Sequence, residues 1–209
     1  LLGRVPLDAP RLVIDLGCGP GNSTALLAAR WPDARLIGVD SAPTMLERAR
    51  RDGPPAEWVA ADVRTYAPPE PPDVLFSNAL LQWVPDHAAI FPRLIGMVRP
   101  GGVLAVQMPC NFGAPSHQLL RRTARGGPWA ATVADLVREA PVAAPDWYYD
   151  LLAPFCADLD VWKRSMKKLK MFARSHNATV LFGHDYGVCH EGHTPSNNET
   201  RIREDRLYD

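Results

Sequence analysis

Apolar residues in this chain fall in short blocks, each closed by an acid, a glycine or a proline, and the blocks alternate between two periods. Residues 11–16, Arg-Leu-Val-Ile-Asp-Leu, are an apolar run that ends on glycines, the pattern of a buried parallel strand followed by a tight turn. Residues 22–30 then predict a helix, with Asn22 or Ser23 as its cap and Trp31-Pro32 as its end, because proline disfavours helix in the residue before it. A strand over 35–40 precedes a helix over 43–51, with Ser41 as candidate cap and Pro43 tolerated in the first turn. Strands over 57–60 and 73–77, a helix over 87–98 despite Pro92, and a strand over 102–107 continue the series. This alternation predicts an α/β fold, a mostly parallel sheet covered on both faces by right-handed crossovers. In such sheets ligands lie at the carboxyl ends of the strands. Beyond Gln107 the pattern weakens to helices over 116–125, 132–139 and 147–152 and a sixth strand over 158–162.

Composition narrows the partner. Of 209 residues, 46% are hydrophobic and 22% charged, with Lys+Arg and Asp+Glu at 23 each, so a real core can form and no net field draws the chain to nucleic acid or an anionic membrane. No apolar run approaches the ~18 residues needed to span a bilayer, and the first residues do not read as a signal peptide. The expectation is a cytoplasmic protein with a small-molecule partner. Cys18, Cys110, Cys156 and Cys189 lie far apart with no Cys-x-x-Cys pair, which predicts free thiols and neither a zinc ribbon nor a disulfide framework.

Chemistry concentrates at Asp15-Leu16-Gly17-Cys18-Gly19-Pro20-Gly21, which follows a strand and opens a helix. Glycines there permit a sharp turn and let a ligand approach the backbone. Two further acids close successive strands. Asp40 is placed to accept from ribose hydroxyls, and Asp62 to meet an adenine amino group. Dinucleotide sites space their glycines Gly-x-Gly-x-x-Gly and set a pyrophosphate on the helix N-terminus. Here the spacing is Gly-x-Gly-x-Gly with Asp15 just upstream, an acid that would repel a pyrophosphate but help hold a cationic amino group. That favours S-adenosylmethionine over NAD.

Residues 13–24, 37–43, 78–87 (Asn-Ala-Leu-Leu-Gln-Trp-Val-Pro-Asp-His) and 102–109 resemble the trans-aconitate 2-methyltransferases, the likeness running from about residue 2 to 162. The glycine loop is general to class I methyltransferases; the third and fourth segments are more specific. The resemblance implies a Rossmann-like class I methyltransferase sheet with helices on both faces, S-adenosylmethionine as cofactor, and a methyl ester formed on trans-aconitate or a related small polycarboxylate. It adds Asn78 to Asp15, Gly17, Gly19, Gly21, Asp40 and Asp62 in the cofactor set. Cys110 departs from the acid expected after Met108-Pro109. A substrate carboxylate, with a pKa near ~4, is already ionised at neutral pH, so no catalytic base and no metal is expected, and rate comes from proximity and water exclusion. Substrate-facing candidates are Gln82, Trp83 and His87 after the fourth strand and Met108 and Asn111 after the fifth. For His87 the competing role is a helix-start histidine, for Trp83 core packing. Arg121 and Arg122 are available to hold further carboxylates, against a solvated helix face.

At residue 163 the composition breaks. Residues 1–162 hold no lysine and 20 of the 21 prolines, with 14 arginines against 17 acids, a net −3; Lys163, Lys167, Lys168 and Lys170 follow at once, and the remainder carries 9 basic against 6 acidic residues, a net +3. Three parts are therefore expected: a cofactor-binding core over 1–162, a helix and strand over 163–183, and a His-rich disordered tail over 184–209. Residues 163–185 resemble the C-terminal piece of metallo-β-lactamase-fold acyl-homoserine lactonases, without that family's His-x-His-x-Asp-His cluster. The tail is expected not to be the native continuation of the core. The sheet would then be incomplete at its C-terminal end unless residues 179–182 pair with the fifth strand. A cofactor-binding protein without turnover is the alternative function.

Overall fold

The computed structural model describes residues 1–137 and 142–155. Its centre is a five-stranded, wholly parallel sheet in the order β3-β2-β1-β4-β5, with β1 Leu12–Leu16, β2 Arg35–Asp40, β3 Glu57–Ala60, β4 Val74–Asn78 and β5 Val103–Gln107. The chain starts in the middle, winds out to β3, then returns across β1 to β4. Its strand order reverses between β1 and β4, and the cleft that opens where two crossovers part company is the usual place for a ligand.

Both faces of β1 are covered, which is why all five of its residues are buried. Ile14 and Leu16 point to one face, with Ile37, Val39, Leu75 and Val106 of the neighbouring strands, against Ile90, Phe91 and Leu94 of α3 (His87–Met97) and Tyr148 of α6 (Pro145–Leu152). Val13 points to the other, with Leu36, Val74, Phe76 and Ala105, against Leu27 of α1 (Asn22–Arg30) and Trp31. The remaining helices are α2 (Pro43–Asp52), α4 (Pro115–Gly126) and the single turn α5 (Ala130–Val133). Residues 134–136 form a 3-10 turn where a longer helix was expected, and 138–139 lie outside the described residues.

Helix ends differ from expectation. Neither Asn22 nor Ser23 caps α1, because Gly21 takes that position at φ 90°, and Ala42 rather than Ser41 precedes α2. Their hydroxyls and amides are freed by tertiary demand: Ser23 serves Asp15, and the Asp40 carboxylate accepts the Ala42 N–H at 2.8 Å. Asp73, read as a strand residue, instead ties the sheet from its edge, its Oδ2 accepting the N–H groups of Arg11 and Leu12 at 2.9 and 2.8 Å while Oδ1 pairs with Arg99.

Cys18 is a free, buried thiol pushed up to about 12, first by burial and then by Asp15. Cys110 is disulfide-bonded, which overturns the expectation of free thiols; a pair needs only Cβ proximity in space, on which sequence spacing is silent. The expected strands over 158–162 and 179–182, the helix-strand part over 163–183 and the tail over 184–209 lie outside the described residues.

Candidate cofactor and substrate site

The glycine loop is shaped by two strands at once. Gly17, Gly19 and Gly21 all have positive φ (71°, 54° and 90°), and Val39 of β2 accepts N–H bonds from Gly17 and Cys18 at 2.8 and 3.1 Å. Any side chain at Gly17 would collide with Leu80, its Cβ lying 2.7 Å from that residue's own, whereas a Cβ at Gly19 would meet nothing within 4 Å. The loop thus packs tightly on one side and stays open on the other. Below it, Trp58 of β3 lies so close to Gly21 and Gly38 that a Cβ on Gly38 would sit 2.4 Å from the indole. Gly38 is therefore part of the loop's support.

Asp15 is buried at the foot of the loop, and its Oδ2 accepts from Ser23 Oγ and Thr24 Oγ1, both at 2.7 Å. Its Oδ1 is buried with no hydrogen-bond partner among the described residues. Burial raises the carboxyl to about 6, with the two hydroxyls acting against it and Asp40 adding to it. A buried half-satisfied carboxylate calls for a cation or donor. Asp40, at the end of β2, accepts from Gly19 N at 2.9 Å through Oδ2 and from Ala42 N through Oδ1. Asp62 is gripped through both oxygens by the Arg64 guanidinium, whose hydrogen bonds, joined by the Arg64 backbone N–H, hold it down at about 2.

Gly17, Asp40, Asp62, Arg64, Leu80 and Trp83 are among the walls of a cavity of about 480 Å³, within the ~300–1,000 Å³ of small-molecule sites. A second cavity, about 370 Å³, is walled by Trp83, Phe112, His117, Leu120, Arg121 and two residues after α5. Trp83 belongs to both and is 57% exposed. Gln82 is buried, its Nε2 donating to Ala79 O at 2.7 Å and its Oε1 unpartnered. Ala79 holds φ 55°, a strained position for a residue with a side chain, at the turn leaving β4.

Of the substrate candidates, Trp83 alone is among the walls of the two cavities. His87 is buried. Since a carbonyl can only accept, its Nε2 donates to Leu81 O at 2.8 Å, which leaves Nδ1 to accept from Tyr148 OH at 2.5 Å. Burial, acting against its bond to Leu81, lowers its pKa and keeps the ring neutral. Met108 packs in the core beside α3 and α6, Asn111 is half-buried, and Asn78 is exposed at the end of β4 beside Gln107. Sequence reasoning missed Ser23 and Thr24 as partners of Asp15, Arg64 as partner of Asp62, and Phe112 and His117 as cavity walls. The spacing of His117 and Arg121, four apart on a helix, was a legible signal for the last.

Residues 13–102, from β1 to the start of β5, match the family model of a methyltransferase domain. This chain carries a class I methyltransferase domain. Over 169 residues it is 54% identical to a trans-aconitate 2-methyltransferase of Azoarcus sp. (strain BH72), a match that takes in 81% of this chain and 66% of that one. Another protein of that name, from Methylobacterium radiotolerans, is 56% identical over 166 residues, 78% and 64% of the two chains. The chain spans just under two thirds of the length of these curated relatives. The plantazolicin methyltransferase BpumL, solved with a pentazolic desmethylPZN analog and SAH, superimposes with a TM-score of 0.52 at 14% identity, over 69% of this chain and 55% of that one, and shares its fold. In the methyltransferase domain the glycine loop and all three acids fall inside the matched span. No helix among the described residues is long and apolar enough to cross a membrane, and no group of three or more His, Cys, Asp or Glu there could hold a metal.

Proposed function

We propose that this chain is an S-adenosylmethionine-dependent O-methyltransferase that forms a methyl ester on trans-aconitate or a related small polycarboxylate. The observation that carries the cofactor half is Asp15: a buried carboxylate with one oxygen satisfied and the other orphaned, at the foot of an open glycine loop. An ammonium group is the partner this atom lacks. Asp40 and Asp62 line the cavity that opens beside this loop at Gly17. Each Asp40 oxygen uses one lone pair on backbone and keeps another for a ribose hydroxyl. Asp62, fixed by Arg64, offers an oriented acceptor to an exocyclic amine. When bound, S-adenosylmethionine supplies an electrophilic methyl carried on a sulfonium.

For the acceptor, an ionised carboxylate needs no proton removed, and His87, the histidine that follows β4, is spent on the fold, neutral and engaged through both nitrogens. The chain's own contribution is to seat the carboxylate and strip its water, which Trp83, Leu80, Val84 and Pro85 can do at the cavity's apolar side. The polycarboxylate itself is supported by the names of the relatives. Isothermal titration should show S-adenosylmethionine and S-adenosylhomocysteine binding, and tighter binding of NAD would overturn the cofactor. Transfer of a labelled methyl group to trans-aconitate at enzyme-like rates tests the ester chemistry; cofactor binding with no transfer would leave a binding protein without turnover.

A further inference from the structure

We infer that the second cavity, across Trp83 from the cofactor cleft, is the subsite for the carboxylates that do not react, with Arg121 as their anchor and His117 as a second donor; this rests on the function proposed above. Electrical character changes across Trp83. On the cleft side the ionisable walls are Asp40, Asp62 and the Arg64 paired to it, an environment for cations and hydroxyls. On the far side no acid among the described residues lines the cavity, and the ionisable walls there are His117 and Arg121. They sit four residues apart on α4, so they share one face of the helix. Arg121 is half-buried and makes no hydrogen bond or ion pair with any described residue, whereas its neighbour Arg122 is exposed and lines neither cavity. A half-buried guanidinium with no carboxylate beside it among the described residues, facing an apolar cavity, is arranged for an added anion.

The shape of the cavity adds a second constraint. Trp83 and Phe112 meet edge to face at 6.2 Å between centroids, and the Phe112 and His117 rings follow at 5.1 Å. Three rings thus run from the cleft to the arginine. A flat, unsaturated acid can lie along them with one carboxylate at the cleft and another on Arg121. A monoacid can reach the cleft but leaves Arg121 unanswered. Selectivity for di- and tricarboxylates over monocarboxylates is therefore assigned to Arg121 and His117.

The test uses the full chain, with and without saturating S-adenosylhomocysteine, and titrates trans-aconitate and crotonate by calorimetry. The unaltered chain should prefer trans-aconitate. Arg121→Gln should weaken trans-aconitate by about tenfold or more, the loss of a charge-assisted pair, while crotonate and S-adenosylhomocysteine bind as before. His117→Gln should show the same preference loss at smaller size, and Arg122→Gln none. Equal trans-aconitate affinity in Arg121→Gln and the unaltered chain, or equal losses in Arg121→Gln and Arg122→Gln, would overturn the subsite. So would the absence of trans-aconitate binding to a chain that binds S-adenosylhomocysteine. Failure to bind S-adenosylhomocysteine would instead strike the cofactor proposal, and the titration without it still decides the subsite.

Discussion

Above β1, β2 and β3 the cleft is walled by Asp40 and Asp62 with Asp15 buried beneath its glycine loop, and of the six carboxylate oxygens all but Asp15 Oδ1 are held by hydrogen bonds among the described residues. Past β4 and β5 the second cavity is walled by rings, aliphatic side chains and a guanidinium that nothing in the described chain holds. The first half is pre-organised: its geometry is set by backbone N–H groups and hydroxyls before any ligand arrives, so little ordering remains to oppose binding. The second half is soft, with Trp83, Leu120 and Leu136 each more than half exposed, and its shape can follow the acid that enters. A cofactor common to many reactions suits the rigid half, and an acceptor that differs between enzymes suits the adaptable one.

Asp40→Ala should break the rigid half most. It removes the acceptor for Gly19 N and Ala42 N, which loosens the loop, together with the proposed ribose contacts, whose loss at ~1.5–3 kcal/mol each predicts about a 100-fold or greater loss of S-adenosylhomocysteine affinity by calorimetry. Trans-aconitate bound without cofactor should be unaffected. Gly38→Ala attacks the same half from beneath. With its new Cβ 2.4 Å from Trp58, overpacking should lower stability by ~1–3 kcal/mol in urea unfolding and loosen the cofactor as the loop shifts, whereas an unchanged midpoint would mean that the indole moves freely.

Tyr148→Phe separates structure from function at His87. It strands the buried His87 Nδ1 and the Ala143 N–H, which should cost about 1–2 kcal/mol of stability while cofactor and acid affinities stay put; a selective loss of acid binding would return His87 to the substrate site. The smallest effect is a pH dependence. Asp15 is raised to about 6 in the free protein, so its ionised fraction, the form that attracts an ammonium, grows through that pH. Cofactor affinity should climb by about tenfold from pH 5 to pH 7 and then level, a rise that Asp15→Asn should flatten. The folded state holds this proton more tightly than the unfolded chain, whose value is near 3.8, so the same group lowers stability as pH rises from about 4 to about 6.

The periodicity of the first 107 residues was enough to place all five strands within a residue or two, and α1 and β2 to the residue, because a fully buried parallel strand must be continuously apolar and a crossover must be punctuated. The motif spacing likewise marked Asp15, the glycines, Asp40 and Asp62 as neighbours, since each lies at or just beyond the carboxyl end of a strand in one parallel sheet. What the linear chain could not hold was orientation around those strand ends. Gln82, His87 and Met108 were read as facing a ligand because they follow β4 and β5, yet the turn at Ala79 and the packing of α3 against α6 bury them, His87 locked by a tyrosine 61 residues away. Trp58 over Gly38 and Gly21, the hydroxyls that answer Asp15, and the single tryptophan shared by two cavities of different charge all depend on distances between segments remote in sequence. Residue type and spacing determine which elements form and which strand ends meet; only the packed structure decides which side chains at those ends are spent on holding the fold and which are left for a ligand.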